Sequence, residues 1–142
     1  MKSTLLILLS FIVIMCVPSQ KTMSQTEDNG HLYTMTMLYV PENEMDEYLD
    51  FYEKEVKPVN AENEYILSSK VYTHSWGPQW TVCIVTEYKD WEEFAASGKK
   101  SIDIFVKMYP DKSKRDEIIK KFETYLNNHT DAFVNDHPNL EK

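Results

Sequence analysis

Residues 32–40 (LYTMTMLYV) form a strand pattern that is apolar on both faces. Alternate residues of a strand point to opposite sides of its sheet. One set consists of aromatic and thioether side chains: Tyr33, Met35, Met37 and Tyr39. The other set holds three aliphatic residues and two threonines. Because a strand with one wet face alternates more cleanly between apolar and polar residues, we expect both sides of this strand to be covered.

Helical and strand periodicities alternate after this segment. Residues 42–57 place apolar side chains at helical spacing, with acidic residues in the first turns and lysines in the last, and Pro58 predicts the end of the helix. Residues 65–74 and 79–88 have the aromatic and β-branched composition of strands. The Ser-Trp-Gly-Pro turn between them predicts an antiparallel hairpin.

The second half of the chain is rich in helical patterns. Asp90 with Glu93 resembles a capping box, and it predicts a short helix over 91–97 that stops at Gly98. Helical stretches over 101–109 and 114–128 follow, the latter capped by Ser113, and residues 130–135 predict a short last strand. The order β-α-β-β-α(α/α)-β contains a split βαβ unit, so we expect an α+β fold with helices on one face of an antiparallel or mixed sheet.

This order and its aromatic residues resemble the dimeric α/β-barrel superfamily of ferredoxin-like domains, which includes antibiotic-biosynthesis-monooxygenase-like and stress-responsive barrel proteins. Three segments carry the resemblance: LYTMTMLYV, the amphipathic helix that ends at Lys57-Pro58, and VYTHSWGPQWTVCIVTEYKDWEEF. The resemblance implies a ferredoxin-like antiparallel sheet that meets the sheet of a second copy to form a barrel. A homodimer would also cover the aromatic face of the sheet, which a monomer would expose as a large apolar patch.

An aromatic and methionine-rich wall with a few polar tips is typical of small-ligand sites. The residues with this composition on the expected inner face predict a ligand-binding set: Tyr33, Met35, Met37, Tyr39, Tyr72, His74, Trp76 and Trp80. The alternative is that the same side chains form plain core or dimer interface.

Catalytic and metal-binding patterns are weak in this sequence. His74, with Tyr72 on the same strand face, is the weak catalytic candidate, because an imidazole shuttles protons near neutral pH; a hydrogen-bonded strand-end histidine is the alternative. His129 and Asp131 indicate a local helix cap or a catalytic dyad. Cys83 lies in an apolar run and predicts a buried thiol, and no metal-ligand spacing or cofactor motif is present.

Residues 1–19 predict a cleaved leader. Lys2 precedes an apolar run over residues 4–17, which matches the roughly 7–15 apolar residues of a secretory leader better than the roughly 20 of a membrane span. Cleavage after Ser19 predicts a secreted or periplasmic protein, with an uncleaved anchor or lipidation at Cys16 as the alternatives. An Asn128 sequon matters only in a eukaryotic host.

The remaining chain predicts one domain over residues 31–137, between a flexible tether at 20–30 and a tail at 138–142. The formal net charge of −8 disfavours nucleic acid and anionic membrane surfaces as partners. We expect an exported dimeric barrel protein that binds a small apolar or aromatic ligand without catalysis. The alternatives are a cofactor-independent monooxygenase- or isomerase-like enzyme, and a structural or interaction protein of the cell envelope.

Overall fold

The computed structural model describes residues 30–74, 77 and 79–140. In this part of the chain, four strands form one sheet: β1 Leu32–Leu38, β2 Ser68–Thr73, β3 Val82–Tyr88 and β4 Thr130–Asn135. Four α-helices connect them: α1 Met45–Phe51, α2 Lys57–Glu62, α3 Trp91–Met108 and α4 Lys112–Leu126. The irregular turns are a 3-10 turn over Glu42–Glu44, a π-helical turn over Tyr52–Val56 and a 3-10 turn over Pro138–Leu140. The predicted leader, most of the tether and Trp76 lie outside the described residues.

The sheet has the order β2-β3-β1-β4, and each neighbouring pair is antiparallel. Strand β3 lies between β1 and β2, and β1 lies between β3 and β4. Each half of the chain therefore forms a split βαβ unit, which is the ferredoxin-like topology. The predicted fold class is confirmed, and the last strand has the predicted bounds.

The helices pack on one face of the sheet, which we call the helix face. Leu38 and Val82 lie opposite each other in register and are buried with Val40, Tyr48 and Tyr52 in one apolar cluster. Burying a side chain of this size contributes roughly 1.5–3 kcal/mol relative to leaving it exposed. This cluster fixes α1 and the π-helical turn on the central strands.

The opposite face of the sheet, which we call the open face, carries the other half of each strand. Register pairs place Met35 beside Val85 and Ala132, and Met37 beside Cys83. The four strands contribute these open-face residues: Tyr33, Met35, Met37, Ser68, Lys70, Tyr72, Cys83, Val85, Glu87, Thr130, Ala132 and Val134. The strand is apolar on both faces as predicted, with Leu32 and Leu38 toward the helices and the methionines away from them. The expected cover of the second face stays a prediction.

Aromatic contacts join the N-terminal end of α3 to strands β3 and β4. The Phe94 ring lies 5.3 Å from Tyr88 and 5.2 Å from Phe133, between centroids. Trp91 lies against Phe133 at 4.9 Å, yet about half of its surface is exposed. The N-terminal end of α3 is thus held to β3 and β4 while one side of Trp91 stays open.

Pro58 does not end the first helix, contrary to the sequence prediction. The Lys57 N–H reaches back five residues to the Tyr52 carbonyl, so the turn before the proline widens into a π-helical turn. A wider turn relieves the clash between the proline ring and the carbonyl four residues earlier, that of Lys54. The Tyr109 hydroxyl lies 3.4 Å from this carbonyl and donates to it, and the helix continues through α2 to Glu62.

Gly98 does not end a helix either, because α3 runs without interruption from Trp91 to Met108. The predicted cap is correct: the Asp90 carboxylate accepts from the N–H groups of Glu92 and Glu93, each at 2.9 Å. Burial of Ser97 and Ile104 holds both halves of the helix to the domain. Gly98 therefore lies inside a continuous helix, and no close contact there would require a turn.

The remaining differences concern element ends. Strand β1 ends two residues earlier than predicted, β2 begins at Ser68, and β3 begins at Val82. Helix α4 begins at Lys112, and its cap is the Asp111 carboxylate, which accepts from the Ser113 N–H at 2.7 Å.

Among the described residues, no helix is both long and apolar enough to cross a bilayer.

Candidate functional site

A cavity of about 240 Å³ lies between the helix face of the sheet and the helices. Its wall is mainly aliphatic and aromatic, with four polar side chains among the apolar ones. The lining residues are Thr36, Leu38, Tyr48, Tyr52, Val56, Asn60, Ile84, Phe122, Tyr125, Leu126, His129 and Asp131. A concave apolar site with a few polar groups is the ordinary form of a small-molecule site.

The Tyr48 side chain is the unusual feature of this wall. It is 1% exposed, and its hydroxyl has no hydrogen-bond partner within the described part of the chain. Burial raises the pKa of Tyr48 well above its ordinary value, and the neighbouring Tyr52 and Tyr125 rings raise it further. The hydroxyl therefore keeps its proton and remains able to donate a hydrogen bond. An unpartnered buried polar group costs about 1–3 kcal/mol, so its place beside a cavity needs an explanation.

His129, which follows α4, links the end of this helix to Asp131 of β4 through hydrogen bonds beside the cavity. The His129 Nδ1 lies 2.6 Å from the Leu126 carbonyl, and its Nε2 lies 3.1 Å from the Asp131 carboxylate. The Thr36 hydroxyl donates to the same carboxylate at 2.7 Å. Since the carbonyl and the carboxylate both accept, the ring satisfies both when both its nitrogens carry protons. The local helix cap expected from the sequence is present, and it also orients Asp131.

A polar cluster joins the cavity residues Tyr52 and Asn60 to Ser69 of β2. The Tyr52 and Ser69 hydroxyls lie 3.1 Å apart, and the Asn60 amide donates to each at 3.4 Å. Burial raises the pKa of Tyr52, so this hydroxyl also stays protonated. Tyr52 and Asn60 also border a second, wider hollow of about 500 Å³ beside edge strand β2.

The residues that the sequence singled out lie elsewhere. Tyr33, Met35 and Met37 lie on the open face, and Tyr72 is half exposed there on edge strand β2. Tyr39 lies just beyond β1 and is more exposed than buried. None of these residues lines either of the two cavities described above. The structure therefore places the three β1 residues and Tyr72 of β2 on one surface of the sheet rather than in either cavity.

His74 and Trp80 form a separate contact at the end of the hairpin. Their rings meet edge to face at 4.2 Å between centroids. The His74 Nδ1 is buried and has no hydrogen-bond partner in the described ranges 30–74, 77 and 79–140. Neither His74 nor Trp80 lines the two cavities, so the weak catalytic candidate His74 is not part of either cavity wall.

Cysteine chemistry and metal binding are the other kinds of reactivity to consider among the described residues. Cys83 is 3% exposed, and burial raises the pKa of its thiol, which disfavours the reactive thiolate. Across the described residues, no three His, Cys, Asp or Glu side chains cluster closely enough to hold a metal ion.

Sequence reasoning missed the cavity because its wall is assembled from elements that are distant along the chain. Tyr48, Tyr52 and Val56 come from the first helical segment, and Phe122 and Tyr125 come from α4. All of them read as the apolar stripes of amphipathic helices. The Tyr48 hydroxyl lacks a partner because of how the helices pack, and no local sequence pattern predicts this.

Solved structures share this architecture at low sequence identity. An uncharacterized NIPSNAP domain protein from Burkholderia xenovorans is 15% identical, with a TM-score of 0.54 over 72% of this chain and 91% of that chain. A NIPSNAP family protein with unknown function from Agrobacterium tumefaciens is 9% identical, with a TM-score of 0.55 over 77% and 90% of the two chains. A dimeric ferredoxin-like protein from an uncultured marine organism is 13% identical, with a TM-score of 0.55 over 76% and 88%.

The fold is ferredoxin-like, as it is in these structural neighbours. The expected resemblance is confirmed at this level. No protein-family model matches the sequence, and no curated protein matches it. At these identities the structural likeness establishes only the fold. The function must therefore be inferred from the residues of the candidate site.

Proposed function

We propose that this protein is an exported homodimer that binds a small aromatic molecule with one polar group in the cavity between its sheet and helices. The observation that carries the proposal is Tyr48, a residue of the mainly apolar cavity wall whose buried hydroxyl has no hydrogen-bond partner within the described residues. Because burial raises the pKa of Tyr48, the hydroxyl stays protonated and can donate a hydrogen bond to an acceptor on the ligand. The cavity exceeds the roughly 150 Å³ that suffices for benzene, which leaves room for a two-ring molecule.

The homodimer is proposed on the composition of the open face. Met35, Met37, Val85 and Ala132 form a continuous apolar centre at the middle of the sheet. A second copy would cover this surface, and a structural neighbour is itself described as a dimeric ferredoxin-like protein. Export is proposed on the leader pattern of residues 1–19 alone.

Binding of 2-naphthol and naphthalene tests the cavity, since the two probes differ by a single hydroxyl. We expect both to bind in ligand-observed NMR titrations, with 2-naphthol about 3–10-fold tighter, because one hydrogen bond contributes about 0.5–1.5 kcal/mol. Tyr48→Phe should remove the difference and keep naphthalene binding. Val56→Trp should fill the cavity and abolish binding of both probes.

Ile119→Trp is the matched control, because Ile119 is exposed on α4 and does not line the cavity. Binding that survives Val56→Trp would place the probes elsewhere and contradict the proposal. Chemical conversion of 2-naphthol by the purified protein would instead favour the oxygenase- or isomerase-like alternative. Absence of any probe binding would favour a purely structural role.

A further inference from the structure

The first helical segment contributes every fourth residue to the cavity wall: Tyr48, Tyr52, Val56 and Asn60. In a regular α-helix each residue advances by about 100°, so Asn60 would lie about 120° around the helix axis from Tyr48. Val59 would lie only about 20° from Tyr48 and would take the last place in the wall. The structure shows the reverse, because Asn60 lines the cavity while Val59 is buried and lines neither cavity.

The π-helical turn over Tyr52–Val56 accounts for this exchange. A π-helical turn closes over one residue more than an α-helical turn, so the helix beyond it is rotated back by one residue, or about 100°. Asn60 then lies about 20° from Tyr48, and Val59 lies about 80° to the other side. Pro58 lacks the N–H that an α-helical turn would use, and its ring favours the wider turn. The proline therefore places an amide where a regular helix would place an apolar side chain.

The protein engages the Asn60 amide only weakly. The amide donates to the Tyr52 and Ser69 hydroxyls at 3.4 Å each, whereas such bonds are usually about 2.9–3.0 Å long. The two hydroxyls lie 3.1 Å apart, and the Ser69 hydroxyl also lies 3.2 Å from that of Thr86. Both hydroxyls therefore keep a closer partner if a ligand takes over the amide.

The surroundings of this amide favour a neutral ligand group. Both hydrogen-bond partners of Asn60 are hydroxyls, and Glu53 and Lys57, in the bordering hollow, pair with each other at 3.5 Å. A charged ligand group would lose water here without gaining an opposite charge. An amide both donates and accepts hydrogen bonds, and so does a hydroxyl. A hydroxyl is thus the complementary group.

We propose that Asn60 is a second, specificity-determining contact of the cavity, and that the ligand is an aromatic molecule with a hydroxyl for Asn60 besides the acceptor for Tyr48. Asn60 follows Tyr48 by about three helical turns, so the two contacts lie at separate places along the helix. This inference rests on the proposed function, because it requires the ligand to bind in this cavity. Pro58 is a positioning residue, since it acts through the turn that orients Asn60.

Three naphthalene diols test the second contact in ligand-observed NMR titrations: the 2,3-, 2,6- and 2,7-isomers, which add one hydroxyl to 2-naphthol at different places. We expect at least one isomer to bind about 3–10-fold tighter than 2-naphthol, because one more hydrogen bond forms. The carboxylate 6-hydroxy-2-naphthoate should bind more weakly than 2-naphthol. Three diols that bind no tighter than 2-naphthol, or a carboxylate that binds tighter, would overturn the proposal.

Asn60→Leu removes the amide and keeps a side chain of similar size. We expect the variant to lose the gain from the second hydroxyl and to keep the preference for 2-naphthol over naphthalene, which depends on Tyr48. Asn127→Leu, on the exposed turn after α4 and outside the cavity wall, is the matched control and should keep both preferences. A diol gain that survives Asn60→Leu would overturn the assignment. A native chain that binds neither naphthalene nor 2-naphthol would instead contradict the proposed function itself.

Pro58→Ala tests the positioning role of the proline. The restored N–H and the absence of the ring allow an α-helical turn, which would return Val59 to the wall in place of Asn60. We expect the diol gain to be lost while the preference for 2-naphthol over naphthalene remains, a split that general destabilisation would not produce. An undiminished diol gain would overturn the role assigned to Pro58.

Discussion

Single glycines of this chain have opposite structural roles. Gly98 lies in a helix with open space where a Cβ would be, so Gly98→Ala removes conformational freedom from the unfolded chain at no steric cost. We expect the free energy of unfolding to rise by about 0.5–1 kcal/mol in urea denaturation.

Gly77→Ala is the matched control at the residue scale. Gly77 has a φ of 143°, and a Cβ there would lie 3.0 Å from the His74 ring. We expect this variant to destabilise the protein by about 1 kcal/mol or more, because alanine fits neither the backbone nor the space. Two glycine-to-alanine changes with the same sign would contradict this explanation.

At the element scale, Glu87 ties the end of β3 to its surroundings. Its carboxylate accepts from the Ser68 hydroxyl of β2 at 2.6 Å and faces the His31 ring at 2.6 Å. The Ser68 and His31 hydrogen bonds lower the pKa of Glu87 below its ordinary value. The ionised form is therefore the one that folding favours. Its contribution is complete above the unfolded pKa of about 4.3 and is lost as the pH falls through the lower folded value.

Glu87→Gln should show this dependence. We expect the variant to be about 1 kcal/mol less stable than the native chain at pH 6 and nearly equal to it at pH 3. Urea titrations at pH 6, 4.5 and 3 measure the difference, with the exposed Glu92→Gln as control. A stability difference that stays constant down to pH 3 would contradict the assigned role of the carboxylate.

The elements themselves were largely predictable, and their ends were not. The elements with strong local signals form as predicted: the period-two pattern of residues 32–38 is a strand, and Asp90 caps a helix. The errors at Pro58 and Gly98 have one cause: both residues weaken a helix locally, and tertiary contacts decide whether it continues. The Tyr109 hydroxyl donates a hydrogen bond to the freed Lys54 carbonyl, and buried Ile104 anchors the second half of α3.

At the scale of the whole molecule, the sequence predicted the two-faced sheet and placed the ligand residues on the inner face of a barrel that a second copy would complete, and this placement stays a prediction. Tyr33, Met35 and Met37 have the composition of a pocket wall, yet in one chain they lie on the open face and line neither cavity. The cavity lies on the other side, where Tyr48 meets Tyr125 at 4.9 Å between ring centroids. Its existence depends on how α1 and α4 dock, which periodicity alone does not specify.

The apolar centre of the open face makes the oligomeric state the broadest test of this molecule. Met35→Lys adds an ammonium group at the middle of the face that a second copy would cover, and burying an unpaired charge costs several kcal/mol. We expect light scattering at 20 µM to give a dimer for the native chain and a monomer for Met35→Lys, with both folded. Ile119→Lys, which adds the same charge on exposed α4, should remain dimeric. A native chain that is monomeric at this concentration, or a Met35→Lys variant that stays dimeric, would show that the sheets do not meet, and the methionines would then need another reason to face away from the core.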